Sequence, residues 1–207
     1  HAELVQAKLE EAQREQSKPN LDILHNVVGA IVHDTQRAAD IIRKLRNLFR
    51  MSRGEHTILK LDELVHEVLD LVQSKMKNVG IISKTELDPN LRLHGDATQL
   101  QQVILNLLNN AIDALTESGR PQLELHIRSK ASGQHLELEV EDNGQGIAPD
   151  RKDDVFSLFK TSKSQGMGVG LWLSRSIVET HGGRLTFQSE PGRGTVFTLR
   201  LPLLGHA

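Results

Sequence analysis

The sequence contains no cysteine and no tyrosine, and aromatic residues make up only 3% of it. Without cysteine, disulfide bonds, thiolate metal sites and a cysteine nucleophile are excluded. The scarcity of aromatics argues against a stacking platform for single-stranded nucleic acid, and a net charge of -2 gives no bulk attraction to nucleic acid. No apolar run approaches the roughly 20 residues that span a bilayer, so we expect no membrane segment in this chain.

The N-terminal quarter of the chain predicts a helical hairpin. Helix formers fill residues 1–16, apolar residues keep a helical period through residues 21–50, and the break SKPN separates the two stretches. A single hairpin cannot bury its apolar stripe in water, so we expect a second copy to complete a four-helix bundle, and hence a homodimer. Packing of the hairpin on the rest of the same chain is the alternative.

The middle of the chain predicts a connector, a helix and two short strands. Residues 51–60 predict a polar connector, and residues 61–80 predict an amphipathic helix that ends at Gly80. The segments IISKTEL and LRLHG then predict two short strands around the turn DPN.

The remainder predicts helices on one face of a mostly antiparallel sheet, an α+β architecture. Its central element is an amphipathic helix, LQQVILNLLNNAIDAL (100–115), with Asp96 as the N-cap. A β-hairpin follows, QLELHIRSK and QHLELEVED, in which apolar and polar residues alternate. Then come a helix near residues 150–158, a polar loop, an apolar helix at 170–183 and two strands around the turn PGRG.

A row of amides lies on the polar side of the central helix. Asn is a poor residue for a helix interior, yet Asn106, Asn109 and Asn110 occur within five positions. Amide oxygens suit a Mg²⁺ ion that already carries phosphates, because they add a hard ligand without further negative charge. A solvated face that happens to use Asn is the alternative.

Two glycine-rich segments complete a set of three polar constellations. Asp142-Asn143-Gly144-Gln145-Gly146 ends a strand, where a carboxylate can accept a hydrogen bond from an exocyclic amine while the backbone approaches a flat ring. Gly166-Met167-Gly168-Val169-Gly170 precedes a helix, whose free N–H groups favour an anion. Lys160 and Lys163 lie upstream of the second segment, where a lysine could pair with a terminal phosphate. An ordinary turn is the alternative for the first segment, and a solvated loop is the alternative for the two lysines. Together the three constellations predict one adenine-type base, one Mg²⁺ and one triphosphate in a cleft under a flexible loop.

Four segments resemble the motifs of the Bergerat-type (GHKL) ATP domain: NLLNNAIDA the N box, DNGQGI the G1 box, VFSLFKTSK the F box and GMGVGL the G2 box. RAADIIRKLRNLFR followed by LDELVHEVLDLV resembles the second dimerisation helix and entry helix of sensor histidine kinases of two-component systems. Nearly the whole chain is thus similar to the cytoplasmic core of such a kinase. The resemblance implies a dimerisation and histidine-phosphotransfer domain at 1–56 and an α/β-sandwich catalytic domain at 57–207.

The resemblance also implies roles for individual residues. Asn110 would coordinate Mg²⁺ with Asn106 beside it, and Asp142 would read the adenine amine. Gly144 and Gly146 would lie against the base, and Phe156 and Phe159 would anchor the lid over the site. Lys163 would approach the phosphates, which Gly166, Gly168 and Gly170 would wrap. The other positions implied to contact the nucleotide are Ile147, Lys160, Thr161, Met167, Val169 and Leu171.

The implied activity is that of an ATP-dependent protein-histidine kinase, a cytoplasmic protein that passes phosphate to an Asp of a response regulator. The acceptor motif HELNQPL is absent, which leaves His1 and His33 as candidate acceptors. His33 is followed by Asp34, as an acceptor histidine is followed by an acidic residue, but it belongs to the second helix. For His1 there are three alternatives: an acceptor on a shortened helix, a remnant of a tag, or the first residue of a truncated chain. A scaffold that binds ATP without phosphotransfer and a Bergerat-fold serine kinase or ATPase are the alternative functions.

Overall fold

The structure, a computed structural model, describes residues 55–160 and 168–204, together with residues 28, 29, 31, 32 and 35. The chain divides into two units, His1–Ser52 and Arg53–Ala207. The five described residues of the first unit are helical. The rest of the predicted hairpin lies outside the described residues, as do both candidate acceptors, His1 and His33. Among the described residues, no helix is long and apolar enough to cross a membrane.

The second unit has the predicted α+β architecture, with helices packed on one face of a mostly antiparallel sheet. In chain order the elements are β1 (Thr57–Lys60), α1 (Leu61–Val79), β2 (Ile81–Glu86), β3 (Arg92–Gly95), α2 (Ala97–Thr116), β4 (Leu123–Ser132), β5 (His135–Asp142), a 3-10 helix (Pro149–Asp154), α3 (Gly170–Thr180), β6 (Arg184–Glu190) and β7 (Gly194–Pro202). The five-stranded sheet has the order β2-β4-β5-β7-β6, and β1 and β3 form a separate two-stranded sheet.

Both strands predicted around the turn DPN are present, and each pairs with a strand elsewhere in the chain. β3 pairs with β1 in an antiparallel arrangement, and β2 pairs in parallel with β4. A parallel pair requires a long crossover, and the chain supplies one through β3 and α2. Residues 57–60, predicted as part of a polar connector, form β1. The helix predicted near residues 150–158 is a 3-10 helix that ends at Asp154.

Helix α2 lies at the centre of the unit, between α1, α3 and the sheet. Its apolar face is buried as its spacing predicts, and Asp96 caps it by accepting the Gln99 N–H at 3.1 Å. His181 follows the last residue of α3, and its Nε2 accepts the backbone N–H of Asp96 at 3.1 Å. The N-terminus of α2 is therefore tied to the C-terminus of α3.

The face of the sheet turned away from the helices carries charges. Along β5 the apolar residues are buried, while Glu137, Glu139 and Glu141 alternate with them. Glu139 and Glu141 pair with Arg128, and Glu137 and Glu139 pair with Lys130. Exposed pairs of this kind contribute about 1 kcal/mol or less each. Their consequence is a polar outer surface, which leaves the helix side of the sheet for the site.

Candidate functional site

The side chain of Asn106 joins α2 to the start of α3. Its Nδ2 donates to the carbonyl of Gly170 at 3.3 Å and to Oγ of Ser174 at 3.2 Å. Its Oδ1 accepts from Nε2 of Gln102 at 3.1 Å. The amide face of α2 therefore meets the glycine-rich segment at its last glycine, as the prediction of a common site requires.

Asn110 lies one turn further along the same side of α2 and is partly exposed. The neighbouring Asn109 belongs to a different contact, because Nζ of Lys75 donates to its Oδ1 at 3.3 Å and pairs with Asp113 at 2.9 Å. The amide-rich face is thus divided: Asn106 faces α3, and Asn109 faces α1.

Asp142 ends β5 with only 3% of its surface exposed. Its Oδ1 accepts the Gly144 N–H at 2.9 Å, and its carboxyl also accepts the backbone N–H of Thr195. Burial raises the pKa of Asp142 to about 6, because desolvation of the carboxylate outweighs these two hydrogen bonds. A buried carboxylate that still ionises near neutral pH is a strong acceptor for a donor that enters the site.

The loop after Asp142 packs directly against α2. A Cβ on Gly144 would lie 2.9 Å from the carbonyl carbon and oxygen of Ala114, so only glycine fits there. Asn106, Asn110 and Ala114 are spaced by four residues, or about 6 Å along the helix each. Asn110 therefore lies between the contact with Gly170 at one end and the contact with Gly144 at the other.

The described part of the glycine-rich segment packs against Phe159 and Lys160. Gly168 has φ of +65°, and a Cβ there would lie 2.5 Å from the backbone N and O of Lys160. The Phe159 N–H donates to the Gly168 carbonyl at 3.0 Å, and Phe159 itself has φ of +63°. Val169 is buried and Leu171 half-buried at the start of α3. Of the predicted nucleotide contacts, those outside the described residues are Thr161, Lys163, Gly166 and Met167.

The two predicted anchor phenylalanines differ in environment. Phe156 packs edge-on against Phe187 of β6, with 5.7 Å between ring centroids, and the Arg175 guanidinium lies 5.5 Å from the Phe156 centroid. Phe159 is 58% exposed, and the neighbouring Lys160 pairs with Asp154 at 3.2 Å. Phe156 therefore anchors this segment to the domain, whereas Phe159 does not.

The sequence interpretation missed a group of residues at the turn between β6 and β7. Oγ of Ser189 accepts the Ile147 N–H at 2.8 Å, donates to the Gly194 carbonyl at 2.9 Å, and lies 2.9 Å from Oγ1 of Thr195. Gly146 lies against the Glu190 carbonyl in the same region. One signal was available in the sequence. Ser189 and Thr195 stand at inward-facing positions of β6 and β7, where the other inward-facing residues are apolar.

The arrangement suits an elongated anionic ligand with a flat base. The buried Asp142 carboxylate lies at one end of the α2 amide face, and the N-terminus of α3 lies at the other. The carboxylate accepts from a base amine, while the helix N-terminus provides N–H groups and a favourable dipole for phosphate. Within the described part of the chain, no group of three or more His, Asp and Glu side chains is placed to hold a metal ion.

Comparisons with known proteins agree with this geometry. Residues 95–205 match the family model described as histidine kinase-, DNA gyrase B- and HSP90-like ATPase. The sensor protein FixL of Bradyrhizobium diazoefficiens is 35% identical over 189 residues, which cover 90% of this chain and 37% of FixL. The chain thus spans less than half the length of that relative.

Solved structures give the same assignment. The catalytic domain of histidine kinase ThkA matches with a TM-score of 0.64 and 33% identity, covering 72% of this chain and 95% of that one. A structure of ThkA in complex with the response regulator protein TrrA matches with a TM-score of 0.66 and 25% identity, covering 96% of this chain and 56% of that one. This chain belongs to the family of histidine kinase-, DNA gyrase B- and HSP90-like ATPases, and its relatives are sensor histidine kinases.

Proposed function

We propose that this chain is the core of an ATP-dependent protein-histidine kinase. It binds Mg-ATP, transfers the γ-phosphoryl group to a histidine, and passes that group on to an Asp of a response regulator. The observation that carries the proposal is the position of Asn110 on α2. The helix meets the glycine-rich segment one turn before Asn110 and the Asp142 loop one turn after it.

In this proposal the base lies at the Asp142 end of the site. Asp142 accepts from the adenine amine, and the backbone of Gly144, Gly146 and Ile147 lies along the ring. The phosphates lie toward the N-terminus of α3, against Gly168, Val169 and Gly170. The remaining proposed contacts are Leu171, Phe159 and Lys160, together with Thr161, Lys163, Gly166 and Met167 outside the described residues.

Magnesium fits the donor set as an ion brought in largely by the phosphates. Asn110 would supply the amide oxygen, with Asn106 beside it to fix the start of α3. Mg²⁺ is commonly held by one or two protein oxygens plus substrate phosphates and waters, so a site without a carboxylate cluster suits it. The bound ion would neutralise charge on the transferred group, and the chain's own residues would position it.

We propose a homodimer through the helical hairpin at residues 1–56, with residues 57–207 as the catalytic domain. Val28 and Val32 are helical, four residues apart, and 52% and 49% exposed in the single chain. Apolar side chains at this spacing share one helix face. Light scattering of the whole chain should give twice the single-chain mass of 23.1 kDa, and a single-chain mass would contradict the dimer.

The reaction is tested by incubating the chain with γ-labelled ATP and Mg²⁺. We expect label on the chain that is labile in acid and stable in base, as phosphohistidine is. The Asn110→Asp variant, which places a negative charge where we propose the metal ligand, should lose the label and keep its far-UV dichroism. Acid-stable label would indicate a serine kinase, and ATP binding without label would indicate a scaffold. Peptide mapping of the label decides between His1, His33 and another histidine.

The proposed partner is the receiver domain of a response regulator, with no nucleic acid partner. A relative of known structure, ThkA, was solved in complex with the response regulator protein TrrA. Transfer of the label from this chain to an Asp of a receiver domain would support the second half of the reaction. We propose a cytoplasmic location, where ATP and the regulator are found.

Binding of the base should weaken at acid pH. The pKa of Asp142 is raised to about 6, so the carboxylate gains a proton below that pH and one acceptor becomes a donor. Adenosine is the appropriate ligand, because a phosphate's own second ionisation falls near pH 6 as well. Its affinity should be constant above about pH 7 and fall about tenfold per unit well below pH 6. An adenosine affinity that is flat from pH 5 to 8 would contradict the assignment.

A further inference from the structure

Three hydrogen-bonding side chains lie in one row across β5, β7 and β6. Asp142 is the register partner of Thr195, and Thr195 is the register partner of Ser189. Directly paired residues on neighbouring antiparallel strands point to the same face of a sheet. All three are buried, with 3%, 5% and 8% of their surfaces exposed. The row therefore lies on the helix side of the sheet, where the base is proposed to bind.

The partners of the Ser189 hydroxyl indicate where its single proton lies. Its Oγ lies 2.9 Å from the Gly194 carbonyl oxygen, which accepts only, so Ser189 is the donor. Its Oγ also accepts the Ile147 N–H at 2.8 Å. One lone pair is left, and the Thr195 hydroxyl lies 2.9 Å away. Because Ser189 has no second proton to give, Thr195 is the donor in that contact.

The proton of Thr195 is thereby directed away from the base. Its Oγ1 is left with lone pairs only, beside a carboxylate that accepts only when ionised. Adenine presents an amine at the position where guanine presents a carbonyl oxygen. A surface of two acceptors favours the amine and repels the carbonyl.

We propose that Ser189 is a positioning residue that holds the Thr195 proton, so that Thr195 and Asp142 face the base as acceptors and select adenine over guanine. The proposal rests on the nucleotide site described above. Ser189 acts through Thr195 and through the Ile147 backbone, which it ties to the β6–β7 turn.

The test measures the ratio of GTP to ATP dissociation constants with the whole chain. Ser189→Ala removes the acceptor for the Thr195 proton, so the hydroxyl is free to turn and donate to a carbonyl. We expect the ratio to fall about fivefold or more, the worth of about one hydrogen bond. Ser189→Thr keeps the hydroxyl and should restore the ratio. The control is Ser129→Ala, which removes a hydroxyl that accepts the Asp88 N–H at 2.9 Å on β4, opposite Leu138 and away from the Asp142 end of β5.

A double substitution distinguishes positioning from a general loss of structure. Thr195→Val removes the proposed acceptor and should lower the ratio by itself. Adding Ser189→Ala to Thr195→Val should change the ratio no further, since the residue through which Ser189 acts is gone. If Ser189→Ala does not fold, Thr195→Val and Ser189→Thr still decide the proposal.

The outcomes separate this inference from the proposed function. Equal weakening of ATP and GTP in Ser189→Ala, an unchanged ratio in Thr195→Val, or additive effects in the double variant would each overturn the role of Ser189 while leaving the kinase assignment in place. A parent chain that binds neither nucleotide would overturn the nucleotide site itself, and this inference with it.

Discussion

Asp142→Asn should abolish measurable ATP binding and leave the protein at least as stable as the parent. The carboxylate accepts the Gly144 and Thr195 N–H groups and still has lone pairs for a base amine. An Asn amide keeps one acceptor oxygen and turns two N–H donors toward groups that are themselves donors. Loss of a hydrogen bond to a charged group, about 3 kcal/mol, with repulsion added, predicts at least about a 100-fold weaker affinity.

The effect on stability should have the opposite sign. The pKa of Asp142 in the folded chain is about 6, above the ordinary value of 3.8 for an aspartate, so folding favours the protonated form. The parent's free energy of unfolding therefore falls as the pH rises from about 4 to about 6, by up to about 3 kcal/mol. A neutral amide does not incur that desolvation cost. The free energy gained in this way offsets the weaker hydrogen bonds from the Gly144 and Thr195 backbone N–H groups.

Isothermal titration with Mg-ATP and urea unfolding at pH 8 measure the two effects on the same variant. Glu141→Gln is the matched control, because Glu141 is the adjacent residue but pairs with Arg128 on the opposite face of the sheet. We expect its ATP affinity to stay within about twofold of the parent, as removal of an exposed ion pair predicts. An Asp142→Asn variant that binds ATP like the parent would overturn the assignment of the base site.

The parts of the fold that the sequence predicts are those set by local periodicity. The buried face of α2 follows directly from apolar residues at helical spacing, and Asp96 marks its start. The hairpin of β4 and β5 is predictable because only one of its faces is buried, so apolar and polar residues alternate along both strands. In each case the residues that define the element lie close together in the sequence, so no distant partner has to be known.

Strand partners were not predictable in the same way. β2 is exposed along almost its whole length, so its sequence lacks the alternation that would specify a neighbour. Its parallel partner β4 is reached only after β3 and α2, and that choice depends on where α2 packs. The polar residues of 51–60 similarly gave no sign that residues 57–60 would form a strand with β3.

The candidate site was predictable where each motif is a continuous stretch. Asn106, Asp142 and Gly170 were named from such stretches, and the structure brings their segments to one side of α2. Ser189 and Thr195 were missed because each is an ordinary small polar residue within its own strand. Their significance depends on the register that aligns them with Asp142, and a register between three strands is a tertiary property.

Gly194→Ala should cause the largest loss of stability of any alanine substitution at this turn. Gly194 has φ of +120°, and a Cβ there would overlap the carbonyl oxygen of Asp142 and approach Cα of Asn143 to 2.9 Å. The atoms in the way are backbone atoms of β5 and its following loop, so no side chain can turn aside. We expect a loss of about 3 kcal/mol or more, from backbone strain and overpacking together.

Gly192→Ala provides the control, because the two glycines are two residues apart in the same turn. Gly192 also has a positive φ, +72°, but nothing lies within 4 Å of an added Cβ. Strain alone predicts a loss of about 1 kcal/mol there. Urea unfolding gives both values, and equal losses would mean that the approach of β7 to Asp142 is not tight. The Gly194 carbonyl accepts the Ser189 proton, and the Thr195 N–H donates to the Asp142 carboxylate. Displacement of β7 in Gly194→Ala should therefore also weaken ATP binding, whereas Gly192→Ala should leave ATP binding unchanged.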